Sequence, residues 1–225
     1  MEGKIAKEVP GTFVLIKLID IWSGNMTYSI KLVKKNEQAT NLWSSGKTTQ
    51  LAIYPEDADY SKRNFQWRIS TADVEVEESL FTHLPGIQRV IMIIDGEMYL
   101  EHEGKHSVVL KPFEQDRFDG GWTTRSKGIV KDFNLMLSEG WDGGLTCIQV
   151  NKDIQDLILD STGKAEVFYC VEGMVRVEIG EEEPLFFEKG DTLIIMRENL
   201  SEEMSIKFCN KIKKEVSIIR ASIVD

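Results

Sequence analysis

The chain has 225 residues, 42% of them hydrophobic, enough to bury one large core or two smaller ones. Its 37 acidic residues outweigh 27 basic ones, for a net charge of −10. No basic stripe interleaved with aromatics offsets that field, so nucleic acid and anionic membrane surfaces are excluded as natural partners.

Residues 1–27 form an N-terminal extension whose most apolar stretch, "TFVLIKLIDIW", carries Lys17 and Asp20. It is too short to span a bilayer or to act as an uninterrupted signal core. It reads as an added strand, placed on the chain's own sheet or on the edge of a partner's, the second case giving a homodimer. Beyond it, short runs rich in β-branched and aromatic residues alternate with turn signals: "FQWRIS", "RVIMIID", "EMYLEHE", "HSVVLKPF", "GIVKDFNLML", "EVFYCVEG", "MVRVEIG", "DTLIIM" and "EVSIIRAS". The best helix candidate, "NKDIQDLILD" at residues 151–160, suits a strand or an interdomain loop equally well. The predicted class is all-β. Cys147, Cys170 and Cys209 have no C-x-x-C or zinc-type spacing, so they are expected as reduced, packed thiols in a cytoplasmic protein.

An internal repeat refines this. "PGIQRVIMIIDGEMYLE" from Pro85 aligns without a gap to "TGKAEVFYCVEGMVRVE" from Thr162, placing Gly86 on Gly163, Val90 on Val167 and Asp95-Gly96 on Glu172-Gly173. The same offset carries "LKPFEQDRF" onto "FEKGDTLII". Strand, acidic-Gly turn, strand, then a further turn and strand resembles the cupin domain, a two-sheet jelly roll. Two copies imply a bicupin: a first cupin-like domain over residues 28–150 holding the ligand site, and a second, degenerate one over residues 151–225.

Metal-binding cupins use two histidines, a glutamate and a third histidine. The matching positions fall near His83, Pro85, Arg89 and Asp116 in the first copy, and near Asp160, Thr162, Glu166 and Leu193 in the second. Only His83 and Glu166 suit a metal, and they lie in different copies, so no metal and no cofactor is expected at that site. Arg89 at the glutamate position offers a planar fork of donors for a carboxylate instead. Arg68 lies between Trp67 and Ile69 on a strand and must face away from both. If it shares a mouth with Arg89, the two would clamp a small acid between aromatic walls.

"NLWSSGKTTQLAIYP", "FQWRISTADVE", "FTHLPGIQRVIMIIDGEMYL", "LKPFEQDRFDGG" and "VKDFNLM" follow the order and spacing of the HutD/Ves family, which the chain resembles over residues 28–150. The resemblance implies a bacterial bicupin associated with histidine utilisation. It also points residue by residue to Trp43, Thr48, Trp67 with Arg68, Pro85, Gly86 and Arg89, and Asp132, Phe133, Asn134 and Met136. The predicted ligand site is Trp43, Thr48, Arg68, Arg89, Asp132 and Asn134. Alternation along the strand puts Asp132 and Asn134 on one face and Phe133 and Leu135 on the other. The turn "WSSGKTTQL" departs from the family pattern with Ser44, Ser45, Lys47 and Gln50, which favours an anion site over any specific chemistry.

His102 and His106 flank Glu103-Gly104 and read as a solvated hairpin loop without a third ligand. "GEEEP" at 180–184 reads as a hairpin tip, and no nucleophile elbow, P-loop or dinucleotide fingerprint is present. The expected function is metal-independent binding of a small anionic metabolite, as a sensor or accessory protein of amino-acid catabolism. Two alternatives stand beside it. One is an isomerase or hydrolase acting on an imidazole or formimino compound with Asp132 or His83 as acid or base, for which a strongly shifted carboxyl in a closed pocket would speak. The other is a structural β-protein with a filled barrel.

Overall fold

The strand Ile87–Asp95 is apolar on both faces, and that double burial organises the molecule. Val90 and Met92 point into one core, Ile91 and Ile93 into another. A strand buried on both sides must lie in a middle layer. The computed structural model describes residues 17–18, 28–150, 156–200, 204–211 and 214–225.

In chain order the strands are β1 Lys17–Leu18, β2 Tyr28–Val33, β3 Ala39–Trp43, β4 Gly46–Tyr54, β5 Trp67–Val74, β6 Glu78–Leu80, β7 Ile87–Asp95, β8 Met98–His102, β9 Ser107–Leu110 and β10 Gln115–Asp119. They continue as β11 Thr124–Lys127, β12 Val130–Ser138, β13 Asp142–Val150, β14 Asp156–Ser161, β15 Ala165–Glu172, β16 Met174–Ile179, β17 Leu185–Glu188, β18 Thr192–Arg197, β19 Met204–Cys209 and β20 Val216–Val224. Two single 3-10 turns, Lys35–Glu37 and Tyr60–Lys62, are the only helical segments among the described residues. Among the described residues no helix is long and apolar enough to cross a membrane.

Four antiparallel sheets result. Two have six strands, in the orders β10-β7-β12-β5-β4-β3 and β1-β2-β18-β15-β20-β13; two have four, β6-β11-β8-β9 and β14-β19-β16-β17. Each six-stranded sheet faces a four-stranded one, so the molecule is two jelly-roll-type sandwiches rather than two closed barrels. The six-stranded sheets also pack on each other through Trp67, Ile69, Phe133 and Leu135 from one and Val167, Tyr169, Ile219 and Ala221 from the other. β2 and β13 lie in the sheet of the C-terminal repeat, so hydrogen bonding does not divide the chain at residue 150.

The repeat seen in sequence is a structural repeat. β7 to β10 match β15 to β18 in order and in pairing. Both acidic-Gly turns place glycine at positive φ, +84° at Gly96 and +88° at Gly173. A Cβ there would approach the Ile129 and Glu215 carbonyl oxygens to 2.5 and 2.7 Å, which is why neither turn accepts another residue. The helix candidate is corrected: Asp156–Ser161 is a strand, with Leu157 and Leu159 against the second core at a period of two, and residues 151–155 lie outside the described set. Lys17–Leu18 pairs with Ser29 and Ile30 of the same chain, while the rest of the N-terminal extension lies outside the described residues.

The second sandwich is filled by apolar side chains from Ile148 to Ile218 and carries an ion pair between Glu166 and Arg220 at its margin. Glu166 is fully buried and accepts from Arg220 Nε and Nη2 at 2.8 Å, from the Gly163 amide at 3.1 Å and from the Ser222 hydroxyl at 3.1 Å. Removing one partner of such a pair leaves an uncompensated charge. Glu166→Ala should therefore cost about 3 kcal/mol in urea denaturation, whereas replacing both partners by apolar residues of similar volume should cost far less.

Candidate functional site

Alternation places the inner face of the first sandwich. On β5, Trp67 and Ile69 enter the intersheet core, so Arg68, Ser70 and Ala72 face the other way. On β12, Phe133 and Leu135 do the same, turning Asp132, Asn134 and Met136 inward; on β7, Val90 points outward and Arg89 inward. The pairings Arg68 with Met136 and Met136 with Arg89 align these residues across three adjacent strands.

They line a cavity of about 370 Å³, closed on its other sides by Asn41, Leu42 and Trp43 of β3, Thr48 of β4, Tyr60, and Ser79 to Thr82. All six residues of the predicted site, Trp43, Thr48, Arg68, Arg89, Asp132 and Asn134, border this one space. Leu42 and Leu80 stand 84% and 63% exposed at its rim, giving the entrance an apolar lip.

Both arginines are buried. The Arg68 guanidinium lies 4.3 Å over the Tyr60 ring and donates from Nε to Gln50 Oε1 at 2.9 Å and from Nη1 to Ser70 Oγ at 3.0 Å. Arg89 stacks over Phe81 at 4.6 Å and Phe118 at 5.1 Å, and donates from Nη2 to Asn134 Oδ1 at 2.8 Å. Its Nε is buried with no hydrogen-bond partner among the described residues. Neither arginine forms an ion pair among the described residues. Burial pulls both pKa values down, that of Arg89 to about 10; a guanidinium is not deprotonated at neutral pH, so the cavity holds two cations.

Asp132 completes the set. It accepts from Asn134 Nδ2, which makes Asn134 a bridge between the carboxyl and Arg89. Burial pushes its pKa up to about 7, against the pull of the Arg89 charge and of the Ala72 amide. Near neutral pH the cavity thus holds two fixed cations and a carboxyl close to half-protonation, and its net charge is positive.

Several readings need correction. His83 is exposed and does not line the cavity, so of the two acid–base candidates only Asp132 is in place. His102 is no solvated loop residue: its side chain is fully buried, and Asp116 lies 2.9 Å from its Nε2. Lys47 does not reach into the cavity; it lies 3.5 Å from Asp73. Ser44 and Ser45 do not line the cavity either. The filled-barrel alternative does not describe the first sandwich, which contains this space.

Sequence reasoning missed Tyr60, Phe81 and Ser70. Ser70 was legible, since it follows Arg68 by two and shares its face. Tyr60 sits in a 3-10 turn and Phe81 just beyond the short strand β6, where no periodicity marks them.

The HutD family model matches residues 35–213. A conserved protein of unknown function from Pseudomonas aeruginosa PAO1 is similar at a TM-score of 0.74 and 20% identity, over 87% of this chain and 99% of that one. HutD from Pseudomonas fluorescens SBW25, solved in a formate condition, is similar at 0.63 and 22%, over 87% and 98%. A vicilin from Solanum melongena is similar at 0.63 and 11%, over 85% and 84%. At these identities the likenesses establish the cupin-like double sandwich, and the family match spans most of the sequence. The chain belongs to the HutD family.

Proposed function

We propose that the first sandwich binds a small carboxylate-containing metabolite and that the protein serves histidine or amino-acid utilisation as a sensor or accessory component. One observation carries the reading: two buried guanidiniums share a cavity whose one carboxyl, Asp132, is only partly ionised near neutral pH, so positive charge is left over. A buried charge is tolerated when it is paired and hydrogen-bonded, and the unpartnered Nε of Arg89 marks where a further acceptor belongs. Carboxylate oxygens fit the fork of one guanidinium bidentately or bridge both. Tyr60, Phe81 and Trp43 provide apolar walls for the remainder of a small acid. Two relatives add support by analogy: the Pseudomonas fluorescens HutD was solved in a formate condition, and the eggplant vicilin is described as holding different anionic ligands in structurally similar pockets.

A second reading has its own observation. A carboxyl held near pKa 7, bridged by Asn134 to a cation, is poised for proton transfer on an imidazole or formimino compound. The two readings part at Asp132→Asn, which keeps the shape of the cavity. If a carboxylate is bound but never turned over by the wild type, Asp132 only tunes the charge; turnover that the substitution abolishes would establish the enzyme.

Thermal denaturation of the full chain with formate, urocanate, histidine, glutamate or formiminoglutamate tests binding. A ligand at a hundred times its Kd should add about 2.7 kcal/mol, a rise in Tm on the order of 5–10 °C. The rise should disappear in Arg89→Ala; a rise that persists there, or none with any acid, would overturn the proposal.

The pH dependence has a definite sign. The folded-state pKa of Asp132 lies above its unfolded value, so the carboxyl favours folding most below about pH 4. That advantage is lost as pH rises toward 7. Ionisation also places a negative charge beside the bound anion, so ligand affinity should fall as pH rises through about 7, by no more than about tenfold per pH unit. Asp132→Asn should flatten this profile.

Arg89→Met gives an independent check. Without ligand it should be at least as stable as the wild type in urea, because an uncompensated buried cation is replaced by an apolar side chain of similar length. A loss above about 2 kcal/mol would mean that the guanidinium holds the sandwich together rather than serving a ligand.

A further inference from the structure

Outside this cavity, the first sandwich brings two imidazoles and a carboxylate to one point on its flank. His102 closes β8 and His106 immediately precedes β9. The turn between them is tight: the His102 amide donates to the His106 carbonyl at 2.9 Å, the Lys105 amide to the His102 carbonyl at 2.9 Å, and Gly104 takes a φ of +69°. Both side chains converge on Asp116 of β10. His102 Nε2 lies 2.9 Å from Asp116 Oδ2, and His106 Nε2 lies 3.2 Å from each Asp116 oxygen. The three donor atoms lie within 4.8 Å of one another.

We propose that His102, His106 and Asp116 bind a divalent transition ion of the zinc type, at a site separate from the carboxylate cavity.

The donor set selects the ion class. Two imidazole nitrogens and one carboxylate suit zinc and its first-row neighbours; calcium and magnesium prefer oxygen-only sites, and there is no thiolate to favour copper(I). Three protein ligands with a fourth position left to water make an open site. His106, 42% exposed, provides the solvent side of that opening. In a tetrahedral zinc site the donors stand roughly 3.4 Å apart, given metal–nitrogen distances of about 2.0–2.1 Å. The two histidine–carboxylate separations of 2.9 and 3.2 Å have to open by a few tenths of an ångström, and the two imidazole donors stand no more than 4.8 Å apart.

The second ring nitrogen of His102 supplies an independent indication. Nδ1 lies 2.8 Å from the hydroxyl of Thr124, which is itself fully buried. That contact fixes the ring with Nε2 aimed at Asp116, as outer partners of ligating histidines do. Phe118 and Trp122 hold the same ring at centroid distances of 4.6 and 5.7 Å. His102 alone would satisfy Asp116; a second, half-exposed imidazole, packed on His102 at 4.6 Å and edge-on to Trp122 at 6.1 Å between ring centroids, turns another nitrogen to the same carboxylate and adds the third donor.

The site is distinct from the usual cupin metal position. Only Asp116 falls among the residues matched to that set, and its partners come from the β8–β9 hairpin. None of the three lines the carboxylate cavity, and Phe118 contacts both His102 and Arg89. A bound ion would pin the tip of that hairpin to β10, the strand paired with β7.

The test is zinc titration of the full chain after chelator treatment, read by calorimetry and by Tm, with cobalt(II) absorption as the coordination signature. One zinc per chain, a raised Tm and a tetrahedral cobalt spectrum are expected. His106→Ala, at an exposed position, and Asp116→Asn, which keeps hydrogen-bonding capacity, should each weaken zinc binding at least tenfold. The carboxylate-induced Tm shift should remain in His106→Ala, showing that the variant is folded. No stoichiometric zinc uptake by the wild type, or uptake equally strong in both variants, would overturn the proposal.

Discussion

A buried cation without a matching ion pair governs the first sandwich. Arg89 stands on a strand whose neighbours on the same face, Ile91 and Ile93, are core residues, so its charge enters an interior that elsewhere excludes water. Aromatic faces and one amide oxygen stabilise it without neutralising it. The other polar features follow from that charge. Asn134 turns its oxygen to the guanidinium and its amide to Asp132, and Gln50 and Ser70 do comparable work for Arg68. Asp132 is too deeply buried to ionise fully at neutral pH, so it leaves the two cations largely uncompensated.

The second sandwich contains the same cradle with its charge closed. The offset of the repeat places Glu166 where the first unit has Arg89. Arg220 pairs with Phe168 as Asn134 pairs with Ile91, so Arg220 occupies the Asn134 position. One copy therefore carries an acid and an arginine that satisfy each other, and the other an arginine and an amide that do not. The closed copy is packed with apolar side chains, whereas the open one has its cavity. A guanidinium that has an internal carboxylate needs nothing from solution; one that lacks it is left with capacity for an external acid.

Much of this was legible from period-two alternation. A residue between two core-facing neighbours has only one face left, which orients Arg68 between Trp67 and Ile69 and sets Asp132 and Asn134 opposite Phe133 and Leu135. The gapless repeat located the turns at Gly96 and Gly173, because each requires a backbone conformation that only glycine adopts without clash. Sheet membership was not legible in the same way. Alternation gives the faces of a strand but not its neighbours, so nothing in "YSIKLV" or "DGGLTCIQV" announced that these strands pair with β18 and β20. Tyr60 and Phe81 escaped for a related reason: both act from irregular backbone. His102 escaped because a hairpin with Glu103-Gly104 at its tip reads as solvated, although the strand before it still turns alternate residues inward.

The layering explains how the first sandwich can keep an open polar cavity and remain ordered. β5, β7 and β12 each present one face to the intersheet core and the other to the cavity. Trp67, Phe133 and Leu135 are closely packed on the core side, and Tyr54 stacks on Trp67 at 5.7 Å between ring centroids. Well-packed side chains on one face restrict the backbone that carries the other, so the positions of Arg68, Arg89 and Asp132 are set by residues that never touch the cavity. On that frame, ring stacking and hydrogen bonds to Gln50, Ser70 and Asn134 hold the two guanidiniums in place, which favours a preorganised anion site over one assembled on binding. The entrance is left to the rim, where Leu42 and Leu80 stand exposed on short edge strands, so the deep floor supplies the charge recognition and the rim the apolar contact.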